Sequence, residues 1–241
     1  KFFYLKDDSS YDFIFKDSVG NDFNVTTSQL KYQYPNSDII NLPYLTHQVS
    51  IEVKKTNDKQ SHAVIFGISL ENNNSGILYH TIGVNGARFK HYTQALYFSE
   101  QTKVLEPDLF ILSLGTNEAN DANYNDDEFY GDIHSLYVKL RSRNPQAVFL
   151  LTTPADSYYQ KIKSNPRMAS VASTIICFAT ENNIAYWDLQ DATGGKNSAH
   201  YWKQNKLLGQ DGVHYTSGGY TLQGNLFCKA FLNAYNSYVS D

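Results

Sequence analysis

From residue 76 onward, short apolar runs alternate with longer stretches that carry apolar residues at helical spacing. The short runs predict strands at residues 77–84, 109–114, 147–151 and 184–187. Four helices are predicted. One spans 88–103, and another covers the apolar residues of 220–234. The other two follow from apolar residues at helical spacing, namely Phe129, Ile133, Leu136 and Leu140 in one, and Met168, Val171, Ile175 and Phe178 in the other. This alternation is typical of an α/β domain in which helices cover both faces of a mostly parallel sheet.

Residues 1–75 have a different character. Residues 11–15 and 48–53 alternate between apolar and polar side chains, as half-buried strands do, and turn signals separate such runs. Residues 63–68 form a continuous apolar run of the buried type. No amphipathic helix of useful length is present, so this part predicts an antiparallel sheet or a small β-sandwich. We therefore divide the chain into a β-rich domain at 1–75 and an α/β domain at 76–241.

Composition excludes several classes of protein. The chain has 241 residues, a formal net charge of −4 and no cluster of Lys and Arg, so nucleic acid is not expected as a partner. Its apolar runs are far too short to span a bilayer. No group of residues resembles a metal site, and no cofactor is expected. Cys177 and Cys228 have apolar neighbours on predicted helix faces and are interpreted as buried, with a disulfide between them left open.

Three polar motifs lie at the ends of predicted elements. Gly83-Val84-Asn85-Gly86 ends the first predicted strand, Gly115-Thr116-Asn117-Glu118 ends the second, and Asp211-Gly212-Val213-His214 precedes the final helix. In α/β folds, ligands bind in the loops at the carboxyl ends of the strands. We therefore expect the three motifs to lie close together and to form a functional site.

Asp211 and His214 have the spacing of an acid–base pair. The imidazole takes a proton from a hydroxyl nucleophile, and the carboxylate fixes the tautomer of the ring and supports the imidazolium that forms. Asn117 and Gly86 suit an oxyanion hole, because an amide has N–H donors and a glycine lets a substrate approach its backbone N–H closely. Each residue also has a plainer interpretation. His214 would then cap a helix or face solvent, and the other three would belong to ordinary turns.

Taken together, these motifs resemble those of the SGNH (GDSL-like) hydrolases over roughly residues 76–241. Residues 115–118 match the third conserved block of that family, Gly86 matches the glycine of the second block, and Asp211 with His214 matches the fifth. The resemblance implies a flavodoxin-like three-layer α/β/α fold with a parallel sheet, and serine esterase chemistry without a metal. It is closest to bacterial esterases that are similar to peptidoglycan O-acetylesterases.

The chain departs from the family pattern at the nucleophile. The family carries its serine in a Gly-Asp-Ser element on the first strand, before the second block. Here Ser69 lacks the aspartate, Ser18 lacks the glycine, and Ser157 comes after the third block. Some bacterial members carry a β-sandwich between the first and second blocks. The resemblance therefore implies that residues 1–75 are an N-terminal β-rich, β-sandwich-like insert and that the nucleophilic serine lies upstream of Lys1.

The resemblance implies a serine-type esterase that removes O-acetyl or other short acyl groups from an acetylated glycan or peptidoglycan. A lipase or thioesterase-type acylhydrolase of the same fold and a non-catalytic glycan-binding protein are the alternatives. Tyr32, Tyr34 and Tyr44 would suit stacking on sugars or packing within the β-structure. The family further implies a periplasmic, cell-envelope or secreted location. The chain begins at Lys1 without a visible signal peptide, and we expect a fragment or a processed product.

Overall fold

The computed structural model describes residues 1–25, 36–42, 44–72 and 74–240. The chain divides into two compact units. The first unit comprises Lys1–Ile82 and Leu96–Glu106, and the second comprises Gly83–Ala95 and Pro107–Asp241. Strands β1 to β6 and helix α2 belong to the first unit, and all other elements belong to the second.

The strands, in chain order, are β1 Phe2–Tyr4, β2 Asp12–Asp17, β3 Asp22–Val25, β4 Asn36–Asp38, β5 Val49–Lys54, β6 Ile65–Ile68, β7 Leu109–Ser113, β8 Val148–Thr152, β9 Tyr158–Tyr159, β10 Lys163–Ser164 and β11 Ala185–Trp187. The helices are α1 Phe89–Gln94, α2 Phe98–Val104, α3 Thr116–Ala119, α4 Asp126–Arg143, α5 Met168–Glu181, α6 Leu189–Ala192, α7 Ala199–Gln204 and α8 Ser217–Ser240.

The first unit contains two three-stranded antiparallel sheets with an aromatic core. One sheet has the order β4-β1-β6 and the other the order β3-β2-β5. Phe2 and Tyr4 on β1 pack against Phe13 and Phe15 on β2, because alternate residues of a strand face the same side. The ring centroid of Phe2 lies 4.9 Å from that of each phenylalanine on β2. The alternating patterns predicted as strands in this part are confirmed as β2 and β5.

One expectation about this unit is wrong. The apolar composition of residues 63–68 predicts a buried strand, and these residues do contain strand β6, but Ile65, Phe66 and Ile68 are between 41% and 47% exposed. β6 lies at the edge of its sheet. An edge strand is covered by fewer neighbours than a central strand such as β1, so its apolar composition does not ensure burial.

Asp17 closes the hairpin turn between β2 and β3. Its carboxylate accepts hydrogen bonds of 2.9 Å from the backbone N–H groups of Val19 and Asn21. The carboxylate also accepts a hydrogen bond from the hydroxyl of Tyr44. Ser18 therefore belongs to a closed turn. Tyr32 and Tyr34, the other two tyrosines considered for sugar stacking, lie outside the described residues.

The main sheet of the second unit is parallel and has the order β11-β8-β7. Ile111 on β7 is aligned with Leu150 on β8, which is aligned in turn with Ala185 on β11. The apolar residues that predicted α4 and α5 are all buried, namely Phe129, Ile133, Leu136, Leu140, Met168, Val171, Ile175 and Phe178. The predicted parallel sheet and these two helices are confirmed, whereas the three-layer arrangement and the insert at 1–75 stay predictions.

Two predicted elements are wrong. Residues 77–84 form no strand, and Ile77 is 97% exposed. An apolar run becomes a strand only where a neighbouring strand pairs with its backbone, and none of the described strands is aligned with these residues. The single helix predicted at 88–103 is instead two helices, α1 and α2. The first ends at Gln94, and the next residue, Ala95, has an extended backbone.

Helix α8 corresponds to the predicted final helix, but it leaves large apolar side chains such as Phe231 and Tyr238 exposed. Cys228 on this helix and Cys177 on α5 are exposed, free thiols, so the expectation that they are buried is wrong. Cys177 is two residues from the buried Ile175, and positions two apart lie on different faces of a helix. No helix in the described parts of the chain is long and apolar enough to cross a membrane.

Candidate active site

A cavity of about 310 Å³ lies in the second unit, at the carboxyl ends of β7 and β8. Gly86, Asn117 and His214 all line it, so each of the three polar motifs contributes a residue. Ser113 from the end of β7 and Pro154 from the segment after β8 also face it. The structure thus brings the three motifs together at the edge of the sheet where α/β folds bind ligands.

Asp211 holds His214 through its side chain and through the backbone. Oδ2 of Asp211 lies 2.8 Å from Nδ1 of His214. Oδ1 accepts hydrogen bonds of 2.9 Å from the backbone N–H groups of Val213 and His214. The Val213 N–H and then the imidazole lower the pKa of the Asp211 carboxyl to about 2. An ionised carboxylate at Nδ1 favours the tautomer with its proton on that nitrogen, which leaves Nε2 as the basic atom.

A short turn around Gly115 carries the chain from β7 into α3. Gly115 has a φ of 120°, which disfavours any residue with a side chain. A Cβ atom at this position would lie 2.9 Å from Cγ1 of Val171 and 3.2 Å from the ring of Pro154. Only glycine fits both the backbone conformation and the space. Asn117 follows two residues later and is thereby directed to the cavity.

The Asn117 side chain also fixes the loop that carries Gly86. Its Nδ2 donates a hydrogen bond of 2.8 Å to the backbone carbonyl of Ala87. The guanidinium of Arg88 forms an ion pair with Asp121, which lies just after α3. These two contacts attach the Gly86 loop to α3, and they keep the two predicted oxyanion residues on the same cavity.

Glu118 adds a third tie between the loop and α3. It is 5% exposed, and its Oε1 accepts a hydrogen bond of 2.8 Å from the backbone N–H of Phe89. Its Oε2 is buried without a hydrogen-bond partner among the described residues. Burial raises the pKa of the Glu118 carboxyl, and the hydrogen bond from Phe89 opposes this effect. Glu118 therefore contacts the loop rather than the cavity.

None of the three serines weighed as nucleophiles is among the cavity-lining residues. Ser69 is buried in the first unit and donates to Glu71 over 2.6 Å. Ser157 is 1% exposed, and Ser18 lies in the β2–β3 turn. The structure therefore places His214 at the cavity without bringing any of these hydroxyl groups there.

Sequence reasoning missed several cavity residues. Ser113 lies on the cavity and accepts a hydrogen bond of 2.8 Å from the hydroxyl of Thr152. Its position near the end of the strand predicted at 109–114 was the available signal. Tyr220 and Gln223 reach the cavity from α8, which follows the Asp211–His214 motif. Their positions one helical turn apart indicate a shared face, but the sequence does not reveal which face meets the cavity.

A parallel sheet with a cavity at the carboxyl ends of its strands defines an α/β protein with a ligand site in the usual place for that class. The chain belongs to the family of GDSL-like lipases and acylhydrolases, because the model of that family matches residues 11–227. This is a family of carboxylic ester hydrolases. No curated protein sequence matches the chain significantly.

Solved structures with similar folds include a peptidoglycan O-acetylesterase, with a TM-score of 0.73 and 19% identity. The match covers 98% of this chain and 64% of that protein, so the chain spans less than two thirds of its length. A carbohydrate esterase of family 3 from Talaromyces cellulolyticus matches with a TM-score of 0.50 and 18% identity, over 63% of this chain and 70% of that one. At these identities the likeness is one of fold.

Proposed function

We propose that this chain forms part of a serine-type esterase that removes O-acetyl groups from a carbohydrate or a peptidoglycan. One observation carries the proposal. The hydrogen-bonded pair of His214 and Asp211 belongs to a loop on a cavity that Asn117 and Gly86 also line. Acyl transfer from an ester requires a base with an orienting acid, together with hydrogen-bond donors for the oxyanion.

The reaction proceeds in two acyl transfers. A serine hydroxyl attacks the ester carbonyl while His214 takes its proton, and the tetrahedral oxyanion accepts hydrogen bonds from the Asn117 amide and the Gly86 N–H. The intermediate collapses, the sugar oxygen leaves with the proton from His214, and the acetyl group stays on the serine. Water then attacks the acyl-enzyme with His214 again as base, which releases acetate and restores the serine.

The nucleophile in this proposal is a serine upstream of Lys1. The burial of Ser157 and Ser69 and the turn position of Ser18 argue against these three serines as the nucleophile. β7 lies at the edge of its parallel sheet, so a further strand would be able to pair with it and present a serine near His214. Residues 1–75 would then be an insert between that serine and the Gly86 loop.

The proposed substrate is an acetylated glycan or peptidoglycan, in line with the esterases whose folds are similar. Such polymers lie outside the cytoplasm, so we also propose a periplasmic, cell-envelope or secreted location. A preference for acetyl esters over longer acyl chains would follow, since O-acetyl groups are the smallest acyl groups on these polymers.

The test uses the full-length protein with p-nitrophenyl acetate and with acetylated xylan and peptidoglycan. The wild type is expected to release acetate, and His214→Ala is expected to lose nearly all turnover. His200→Ala, an exposed histidine on α7, serves as the matched control and should keep wild-type rates. Turnover by His214→Ala near the wild-type level would mean that His214 is not the general base.

Two further measurements separate the alternatives. A series of acyl esters of increasing chain length would reveal a lipase or thioesterase through a preference for long chains. Binding of glycans without any turnover would reveal a non-catalytic protein. Labelling with a fluorophosphonate, followed by peptide mapping, locates the nucleophile, and a label on any serine within residues 1–241 would contradict a position upstream of Lys1.

A further inference from the structure

Ala155-Asp156-Ser157 imitates a nucleophile motif in sequence, but the structure gives it a different place. Asp156 and Ser157 are each 1% exposed, so neither is accessible to a substrate. The motif begins three positions after the last residue of β8, and its first residue, Ala155, lines the cavity together with Pro154. A buried carboxylate this close to the candidate active site requires a structural explanation, because burial of a charge is costly unless hydrogen bonds satisfy it.

The carboxylate of Asp156 joins two elements. The hydroxyl of Ser164 on β10 lies 2.8 Å from Oδ1 and 2.9 Å from Oδ2. The backbone N–H of Ala199, the first residue of α7, donates to Oδ2 over 3.1 Å. Asp156 thereby ties the short β9–β10 hairpin to the start of α7.

The same segment holds the loop at residues 209–216, which we call the His214 loop. The backbone N–H of Tyr158 donates to the carbonyl of Gly212 over 2.7 Å. The hydroxyl of Tyr215 donates to the backbone carbonyl of Asp156, also over 2.7 Å. One contact lies before His214 in the chain and the other lies directly after it, so the loop is held on both sides of the histidine.

Gly212 makes the contact with the hairpin close. Its φ is 74°, and a Cβ atom there would lie 2.8 Å from the Tyr158 side chain. The hydrogen bond of 2.7 Å from the Gly209 N–H to the His214 carbonyl closes the loop on itself. That internal bond defines the shape of the loop, whereas the contacts with Asp156 and Tyr158 fix it to the carboxyl end of β8.

We infer that Asp156 is a positioning residue that holds the His214 loop in its reactive placement through the β9–β10 hairpin and Tyr215. It does not touch the substrate. The inference rests on the proposed function of His214, and it explains why a buried carboxylate lies beside the cavity. Because a misplacement of about 1 Å typically costs about 10²-fold in rate, loosening the loop should lower turnover without removing a reacting group.

The experiment compares Asp156→Ala, Asp156→Asn and Asp126→Ala in the full-length protein. Asp126 is the matched control, because its carboxylate also accepts hydrogen bonds from hydroxyl groups. These belong to Tyr124, Ser170 and Thr174, so the hydrogen bonds of Asp126 join α4 to α5 and do not involve the His214 loop. Thermal unfolding, kcat and KM for p-nitrophenyl acetate, and amide hydrogen exchange of peptides covering 209–216 are measured for each variant.

Asp156→Ala is expected to lower kcat about 10²-fold with KM changed less than about threefold, and to accelerate exchange in the His214 loop. Asp156→Asn keeps an acceptor oxygen and should recover most of the lost kcat. Asp126→Ala should lower the unfolding temperature while kcat and loop exchange stay at wild-type values. If Asp156→Ala loses only thermal stability, as the control does, the positioning role is overturned.

A second variant and a second measurement test the inference in two further cases. If Asp156→Ala does not fold, Tyr215→Phe removes a single hydroxyl, and it should also accelerate exchange in the His214 loop and lower kcat, by a smaller factor. If the wild-type protein hydrolyses no ester, the proposed function fails, but exchange still tests the inference. Unchanged protection at 209–216 in the Asp156 or Tyr215 variants would then refute it.

Discussion

The side-chain amide of Asn117 donates a hydrogen bond of 2.8 Å to the backbone carbonyl of Ala87, the residue directly after Gly86. This bond uses one of the two N–H donors of the amide and leaves the other for a ligand in the cavity. Asn117 therefore has two tasks in the proposed esterase. In that proposal it supplies one oxyanion donor, and its hydrogen bond holds the loop that carries Gly86, the proposed second donor.

Replacement of Asn117 by alanine should remove both contributions. We expect kcat of the full-length protein for p-nitrophenyl acetate to fall about 10²–10³-fold, the usual cost of losing one oxyanion donor. Asn182→Ala is the control, because Asn182 likewise donates from Nδ2 to a backbone carbonyl, that of Phe178, but at the end of α5. Equal kcat values for the two variants would mean that Asn117 does not act as an oxyanion donor.

Replacement of Asp211 by asparagine should impair the base while leaving the loop folded. Asparagine keeps an oxygen for the N–H groups of Val213 and His214, but its NH₂ group would face Nδ1 and favour the wrong tautomer of the ring. We expect kcat to fall about 10⁴-fold. Asp127→Asn, at an exposed position in the first turn of α4, should leave kcat unchanged.

The pH dependence of Asp211→Asn provides a second check. The Asp211 carboxyl has a pKa of about 2, so it stays ionised at every pH above about 4. Its loss should therefore lower kcat by similar factors at pH 8 and at pH 9. Wild-type kcat for Asp211→Asn at either pH would mean that the Asp211 carboxylate is not needed to orient the imidazole.

The sequence predicted those parts of the molecule whose signals are local. The apolar spacing of α4 and α5 defines a helix face within a few residues, and Asp211 and His214 meet because they are only three positions apart in the chain. The hydrogen bonds that hold the Gly86 loop could not be predicted from the sequence, because Asn117 and Ala87 are 30 residues apart. The exposure of residues 77–84 was equally hidden, because pairing partners rather than composition decide whether an apolar run becomes a strand.

Glu118→Gln should change how stability depends on pH. Burial raises the pKa of Glu118 in the folded chain, so the folded state binds a proton more tightly than the unfolded state. The stabilisation from that proton is fully present below the unfolded pKa of about 4.3, and it is lost as pH rises through the folded value. Glutamine keeps the acceptor for the Phe89 N–H and has no such loss.

We therefore expect wild type and Glu118→Gln to have similar urea midpoints near pH 4, with the variant becoming the more stable of the two toward pH 8. Glu128→Gln, an exposed glutamate on α4, should follow the wild type throughout. Parallel midpoints for wild type and Glu118→Gln across this range would mean that the carboxyl of Glu118 titrates as an ordinary glutamate.

Gly115→Ala should destabilise the turn between β7 and α3. Alanine is strained at a φ of 120°, and its Cβ would lie 2.9 Å from Val171, so we expect a loss of about 1–3 kcal/mol in the free energy of unfolding. Gly131→Ala is the matched control. Gly131 lies inside α4, and a Cβ atom added there would meet open space. Alanine at this position should raise the free energy of unfolding by about 0.5–1 kcal/mol. Urea unfolding measures both, and a Gly115→Ala protein as stable as Gly131→Ala would show that the turn tolerates a side chain.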